Sequence, residues 1–292
     1  MNASRNATED VFTAQDGTTH RYNTTLRSVF DQELTSSQSF ALQVGSVAHN
    51  VTPTLLLGGY VEGRFFDQPA LFNMSDPDGA AIDGIGLSVY GDSAFSNQGD
   101  FDGKTLKGYL NGTTRRKVRF DPGVTYLHLP RETCDAFARY LPIKYSSDLD
   151  LYLWDTSAAN YMSVVNTTHY VDFSLTTGSS APGATIKVPL ALLHLNLSAP
   201  IVQETVPYFP CRPYSTANST EPVILGRAFL QAAYMAVNWD THMMAIGQAP
   251  GPNMVCYSPL GVLEKWANVF GRRTREISRF QKSRRRRSVM AL

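Results

Sequence analysis

The 292-residue chain is 43% hydrophobic and 17% charged, which is enough apolar sequence for a sizeable core and excludes a wholly disordered protein. Its net charge of +1 hides a split: residues 264–292 hold ten Lys/Arg against two Asp/Glu, leaving 16 basic and 23 acidic side chains for residues 1–263. An acidic body with a basic tail, and no fold visible in the tail to present its charges, argues against a nucleic-acid-binding face of the usual kind.

Residues 1–36 are polar and rich in Thr, Asn, Asp and Gln, and read as a lead-in that is loosely structured or only partly helical. From Phe40 short apolar runs alternate with Gly and Pro. Strands are predicted at Phe40–Val47, Thr54–Tyr60, Ile85–Tyr90, Lys117–Leu129, Tyr170–Leu175, Thr185–Leu193, Val223–Leu225, Tyr234–Trp239 and Met243–Gly247, because each run is short and many carry β-branched or aromatic residues. Turn chemistry separates them at Asp76-Pro77-Asp78-Gly79, Gly99–Gly103 and Asn111-Gly112. Helix signals are few: Pro130 opening Arg131–Leu141, with Cys134, Phe137 and Ala138 on one face, and a short helix from Arg227 to Ala232. Many short strands with rare short helices predict a mainly-β fold of closed or sandwiched sheets. After Gly251 the pattern dissolves, leaving residues 251–292 as a basic, disordered tail in which Val262–Phe270 is at most a short amphipathic helix.

Several motifs fail on inspection. Gly103-Lys104-Thr105 lacks the preceding strand and spacing of a phosphate-binding loop, and Gly84-Ile85-Gly86 has Val89 where a dinucleotide fingerprint needs its third glycine. There is no Gly-x-Ser-x-Gly elbow. The six histidines, His20, His49, His128, His169, His194 and His242, are scattered singly, so no metal and no cofactor is expected.

The compartment is read from asparagine. Nine of the fourteen Asn sit in Asn-x-Ser/Thr acceptors: Asn2, Asn6, Asn23, Asn50, Asn73, Asn111, Asn166, Asn196 and Asn218. Chance alone gives about three. Glycosylation in the secretory pathway, at the cell surface or outside it, is the expectation. Yet Met1-Asn2-Ala3-Ser4 runs straight into polar sequence with no secretory signal, and no stretch reaches the length of a membrane-spanning helix. The expectation is therefore that the chain is the back part of a longer protein or a gene model missing its start, with any membrane anchor outside it.

The segment Arg119-Phe120-Asp121-Pro122-Gly123-Val124-Thr125-Tyr126-Leu127-His128-Leu129-Pro130 interrupts a strong strand pattern with an Asp and a glycine-containing turn. Downstream come Ile224-Leu225-Gly226, Phe229-Leu230, Tyr234, Asp240 and Ile246-Gly247-Gln248-Ala249 in fixed order. This series resembles the carboxy-terminal lobe of pepsin-like aspartic peptidases, whose Asp-Thr-Gly-Thr/Ser turn sits on a loop beneath an apolar-apolar-Gly strand. Ser39-Phe40-Ala41-Leu42 and Leu56-Leu57-Gly58-Gly59-Tyr60 are similar to the family's interlobe segment. Leu129-Pro130 to Cys134 and Leu225–Gln231 resemble a diverged fungal branch that is glycosylated and often membrane-anchored.

The resemblance implies a pepsin-like lobe over residues 37–250, a lead-in over 1–36 that is a remnant of the interlobe region, and an amino-terminal catalytic lobe missing. It implies an endopeptidase with Asp121 as its single candidate catalytic residue and Gly123, Thr125, Ile224, Leu225 and Gly226 supporting the motif. An aspartic peptidase uses two carboxylates about 3 Å apart that share one proton, and nothing before Phe40 has the form of the second turn. Pro122 stands where the family's clamping Thr belongs and Val124 where a hydroxyl meets the carboxylate, so the family motif reads as impaired or inactive. A non-catalytic binding module with a peptide groove is the second reading, and a dimer supplying two copies of Asp121 the third. The implied partners are a peptide or protein, the missing lobe or a second copy.

The family commonly carries a disulfide in this lobe, for which Cys134 and Cys211 are the candidates; two buried thiols is the other reading, and Cys256 is left over. The tail admits three readings: a solvated run, a polybasic segment facing anionic lipid, or a processing site at Arg284–Arg287.

Overall fold

The computed structural model describes residues 9–76, 79–89, 116–166, 169–177, 183–214 and 221–251. Asn2, Asn6, Asn111, Asn218, the turns at Gly99–Gly103 and Asn111-Gly112, Cys256 and the basic tail lie outside the described residues. In chain order the strands are β1 (Glu9–Thr13), β2 (Thr19–Asn23), β3 (Ser39–Gln43), β4 (Thr54–Leu57), β5 (Ala70–Asn73), β6 (Ala80–Val89), β7 (Arg116–Phe120), β8 (Leu127–Pro130), β9 (Ile143–Ser146), β10 (Leu151–Trp154), β11 (His169–Thr177), β12 (Ala184–Pro189), β13 (Leu195–Leu197), β14 (Val206–Phe209), β15 (Cys211–Tyr214), β16 (Val223–Leu225), β17 (Ala233–Asn238) and β18 (Met243–Gln248). The α-helices are short: α1 (Thr25–Asp31), α2 (Arg131–Tyr140), α3 (Tyr161–Val165) and α4 (Arg227–Leu230). The fold is mainly β, as the punctuated apolar runs predict.

Three larger sheets organise these strands, in the orders β12-β11-β6-β7-β16-β8-β15, β4-β3-β17-β18-β5 and β13-β14-β10-β9. Alternation sets the faces of the first. Along β11, His169, Val171, Phe173, Leu175 and Thr177 are buried while Tyr170, Asp172, Ser174 and Thr176 are not, the period of two that a half-covered strand requires. The second sheet joins segments about two hundred residues apart in sequence: β3 pairs with β17 from Ser39↔Asn238 to Gln43↔Tyr234. All six residues of β17 are buried because it lies between β3 and β18 with packing on both faces. Gln38 ties the same junction by donating its backbone N–H and its side-chain amide to the Asp240 carboxylate, both at 2.9 Å.

The core continues between these two sheets through a run of rings. Phe72 meets Phe120 at 6.2 Å, Phe120 meets Phe229 at 5.9 Å, and Phe173 meets Phe229 at 5.2 Å between centroids. The rings sit in tilted, offset or edge-on arrangements, which aromatic quadrupoles favour. Phe229 belongs to α4, so this four-residue helix is fixed by its buried ring and not by helix propensity.

Several predicted strands differ from the structure: Phe40–Val47 and Thr54–Tyr60 end early, at Gln43 and Leu57, and the strand predicted from Ile85 begins at Ala80. The run Lys117–Leu129 is two strands, β7 and β8, because Pro122 offers no N–H to a ladder and residues 121–126 form a turn. The run Thr185–Leu193 ends at Pro189 and gives way to a 3-10 turn at Leu190–Leu192. The lead-in holds the β1–β2 hairpin and α1, whose Thr24 cap accepts from the Arg27 N–H at 3.3 Å.

Candidate functional site

β7 delivers Asp121 to the end of the first sheet. The connection from Asp121 to β8 does not close a simple hairpin, because β16 is threaded between the two strands. It runs parallel to β7, with Leu225 opposite Phe120, and antiparallel to β8, with Ile224 opposite His128. The Asp121 N–H donates to the Leu225 carbonyl at 3.1 Å, and the Val124 N–H donates back to the Asp121 carbonyl at 3.1 Å. The Gly123 N–H donates to Asp121 Oδ1 at 2.9 Å, an aspartate-capped turn.

The chain beyond β16 closes over this turn from the other side. Gly226, Arg227 and Ala228 donate their backbone N–H groups to the carbonyls of Tyr126, Val124 and Thr125 at 3.1, 2.7 and 3.0 Å. The N-terminus of α4 therefore finds its acceptors in the aspartate turn. Gly226 is required by contact: a Cβ there would lie 2.4 Å from the carbonyl oxygens of both Val124 and Tyr126. The structure thus brings Asp121, Gly123, Thr125, Ile224, Leu225 and Gly226 into one constellation.

Two arginines complete the surroundings, and sequence reasoning missed both. The Arg227 guanidinium donates to the carbonyls of Pro122 at 3.1 Å and Gly123 at 3.3 Å, and to the Thr125 hydroxyl. Thr125 is therefore engaged by Arg227. Arg119 Nε stands 3.9 Å from Asp121 Oδ2, with the two side chains 35% and 26% exposed. The signal for this pair was present: residues two apart on an extended strand face the same way. Among the described residues no second carboxylate bonds to Asp121, whose carboxylate partners are the Gly123 N–H and Arg119.

Across the same face, His128 of β8 lies opposite Arg212 of β15. Burial, then Arg212 and Arg119, hold the His128 imidazole below its usual range, against the opposing pull of Asp150 and Asp121. Asp150 faces Arg212 at 3.4 Å and Arg131 at 3.9 Å and accepts from the Tyr145 hydroxyl at 2.8 Å. The neighbourhood of Asp121 is cationic and aromatic, with each carboxylate already engaged.

Cys134 of α2 and Cys211 of β15 form a disulfide, both residues fully buried, with Cα atoms 5.9 Å apart. It ties the helix after β8 to the last strand of the first sheet. Asn23, Asn50, Asn73, Asn166 and Asn196 are all exposed. Among the described residues no cluster of three or more His, Cys, Asp or Glu could hold a metal ion, and no helix is long and apolar enough to cross a membrane.

The model of the eukaryotic aspartyl protease family matches residues 10–250. Among solved structures, the aspartic proteinase from Irpex lacteus is similar in fold, with a TM-score of 0.52 at 11% sequence identity. The likeness covers 83% of this chain and 66% of that one, so this chain spans just under two thirds of that proteinase. None of the curated proteins matches.

Proposed function

The chain belongs to the eukaryotic aspartyl protease family, and we propose that within it Asp121 is a structural aspartate that does not cleave peptide bonds. The observation that carries this reading is the set of partners of Asp121. A working dyad places a second carboxylate about 3 Å away and shares one proton across it; Asp121 faces a guanidinium 3.9 Å away instead. Pro122 and Val124 remove the hydroxyls through which the family aligns its aspartate, and Arg227 holds the turn in their place. Among the described residues no second carboxylate stands beside Asp121 to share a proton with it and activate a water.

The disulfide, the surface position of the five described glycosylation acceptors and the family itself support residence in the secretory pathway or beyond it. A second reading, a non-catalytic module that binds a peptide or protein on this lobe, is favoured by its pairs of aromatic and basic side chains. The Arg212 guanidinium lies 5.7 Å from the Tyr126 ring, and Arg131 lies 4.4 Å from the Tyr145 ring. Incubation with denatured haemoglobin at about pH 3–5, the acid range of a carboxylate dyad, tests the proposal. No pepstatin-sensitive product is expected, and the appearance of one contradicts it.

A further inference from the structure

Backbone pairing sets four side chains in a row across the first sheet. Arg119 of β7 is paired with Ile224 of β16, Ile224 with His128 of β8, and His128 with Arg212 of β15. Paired residues on neighbouring strands project to the same face. On all four strands the residues on either side of the row, from Val118 and Phe120 to Cys211 and Pro213, are buried, and the row itself is not. The row is therefore the outer face of this end of the sheet, on the side of β7 that carries Asp121.

This face is short of acceptors. Arg119 stands 3.9 Å from Asp121, while Arg131 and Arg212 share Asp150 at 3.9 and 3.4 Å. None of these reaches the roughly 2.7–2.9 Å of a charge-assisted bond. Arg227 bonds two carbonyls and a hydroxyl. Among the described residues, these four guanidinia thus have two carboxylates at ion-pair distance. The Arg119 and Arg212 side chains are 35% and 44% exposed, so an anion from solution has access to both. Between them the row is uncharged. Ile224 is apolar, and burial, then Arg212 and Arg119, hold the His128 imidazole below its usual range and so neutral near pH 7.

Neighbouring strands lie about 4.8 Å apart, so three spacings put the ends of the row about 14 Å apart. An extended peptide rises about 3.4 Å per residue, and its residues i and i+4 face the same way at about that separation. We propose that this face binds an extended acidic peptide of a protein partner, with carboxylates at positions i and i+4 and an apolar residue at i+2. The two carboxylates accept from Arg119 and Arg212, and the apolar side chain lies over Ile224 and His128. This ligand class rests on the reading of the lobe as a non-catalytic binding module.

Calorimetric titration of the full-length protein at about pH 7.5 with acetyl-Glu-Ala-Leu-Ala-Glu-amide tests the row. The Gln-Ala-Leu-Ala-Gln analogue is expected to bind about three- to thirtyfold more weakly, as the loss of two half-exposed ion pairs implies. Acetyl-Glu-Glu-Leu-Ala-Ala-amide has the same charge and composition but reaches one arginine, and should fall between the two. Arg119→Gln and Arg212→Gln should each remove part of the advantage of the first peptide, and the double variant all of it. Affinity for the glutamine analogue should stay unchanged throughout, which also reports an intact fold. Equal binding of the glutamate and glutamine peptides overturns the charge selection and leaves the binding-module reading in place. Cleavage of either peptide, seen by mass, contradicts the non-catalytic reading, while the affinities still decide on the row. Indifference to the glutamate spacing, an advantage that survives in the double variant, or no binding of any peptide overturns the proposal. Tighter binding of a sulfated pentasaccharide than of any peptide overturns it in favour of a glycan.

Discussion

The backbone N–H of Asp121 donates to the carbonyl of Leu225 at 3.1 Å, joining the end of β7 to the end of the strand threaded beside it. One residue later the chain presses against the same turn. Gly226→Ala would place a Cβ 2.4 Å from two backbone oxygens, which cannot rotate away as a side chain can. A loss of about 1–3 kcal/mol or more is expected. Gly123→Ala meets only the Asp121 carboxylate, at 3.1 Å, and should cost less than about 1 kcal/mol. Urea unfolding of the two variants checks the contrast; equal midpoints would show that the threaded packing is not tight.

The Cys134–Cys211 bridge spans a sequence separation of 77 residues. By loop-closure entropy this restricts the unfolded chain enough to stabilise the fold by about 4 kcal/mol. Cys211→Ser should lower stability by roughly that amount, within a range of about 2–5 kcal/mol. Reductant should shift the urea midpoint of the wild type and leave the variant where it is. A wild type indifferent to reductant under denaturing conditions would contradict the bridge.

His128, His169 and His194 all have their imidazoles held below the ordinary 6.5, chiefly by burial. The unfolded chain therefore takes up protons near that value that the folded chain refuses. Stability contributed by the neutral imidazoles is present above pH 6.5 and is lost as pH falls toward the depressed folded values. The urea midpoint should fall between about pH 7 and pH 5, before most carboxylates titrate. His169→Gln should flatten part of that slope. A midpoint that stays level over this range would contradict the burial of these rings.

The β architecture was largely legible in the sequence, because Tyr170–Leu175 carries its signal in local alternation and Val223–Leu225 in a short unbroken apolar run. The sheet of β13, β14, β10 and β9 was not. Its strands are three or four residues long, and Tyr152 finds Phe209 as its partner only through the chain's return, so burial comes from residues far away in sequence. β5 was missed for the same reason, its edge being defined by pairing with β18. The aspartate turn was visible through Asp121, Gly123 and the Ile224-Leu225-Gly226 strand. Its two arginines were not weighed: Arg227 acts through a guanidinium that reaches back over a turn about a hundred residues earlier in the chain, a contact no local pattern announces.

Glycosylation tests the compartment. The acceptors Asn23, Asn50, Asn73, Asn166 and Asn196 are exposed, so the protein expressed through a eukaryotic secretory pathway should lose mass on treatment with an asparagine-glycan amidase. Each Asn→Gln at an occupied position should remove one glycan's worth of mass. An unchanged mass after treatment would count against residence in that pathway.

The role of Asp121 is tested most directly by the rate of haemoglobin cleavage, at about pH 3–5 where a carboxylate dyad works, by the wild-type protein and Asp121→Asn side by side. Both should remain at the background rate, with pepstatin making no difference to either. Cleavage by the wild type that pepstatin blocks and Asp121→Asn abolishes would make Asp121 catalytic and contradict its structural assignment.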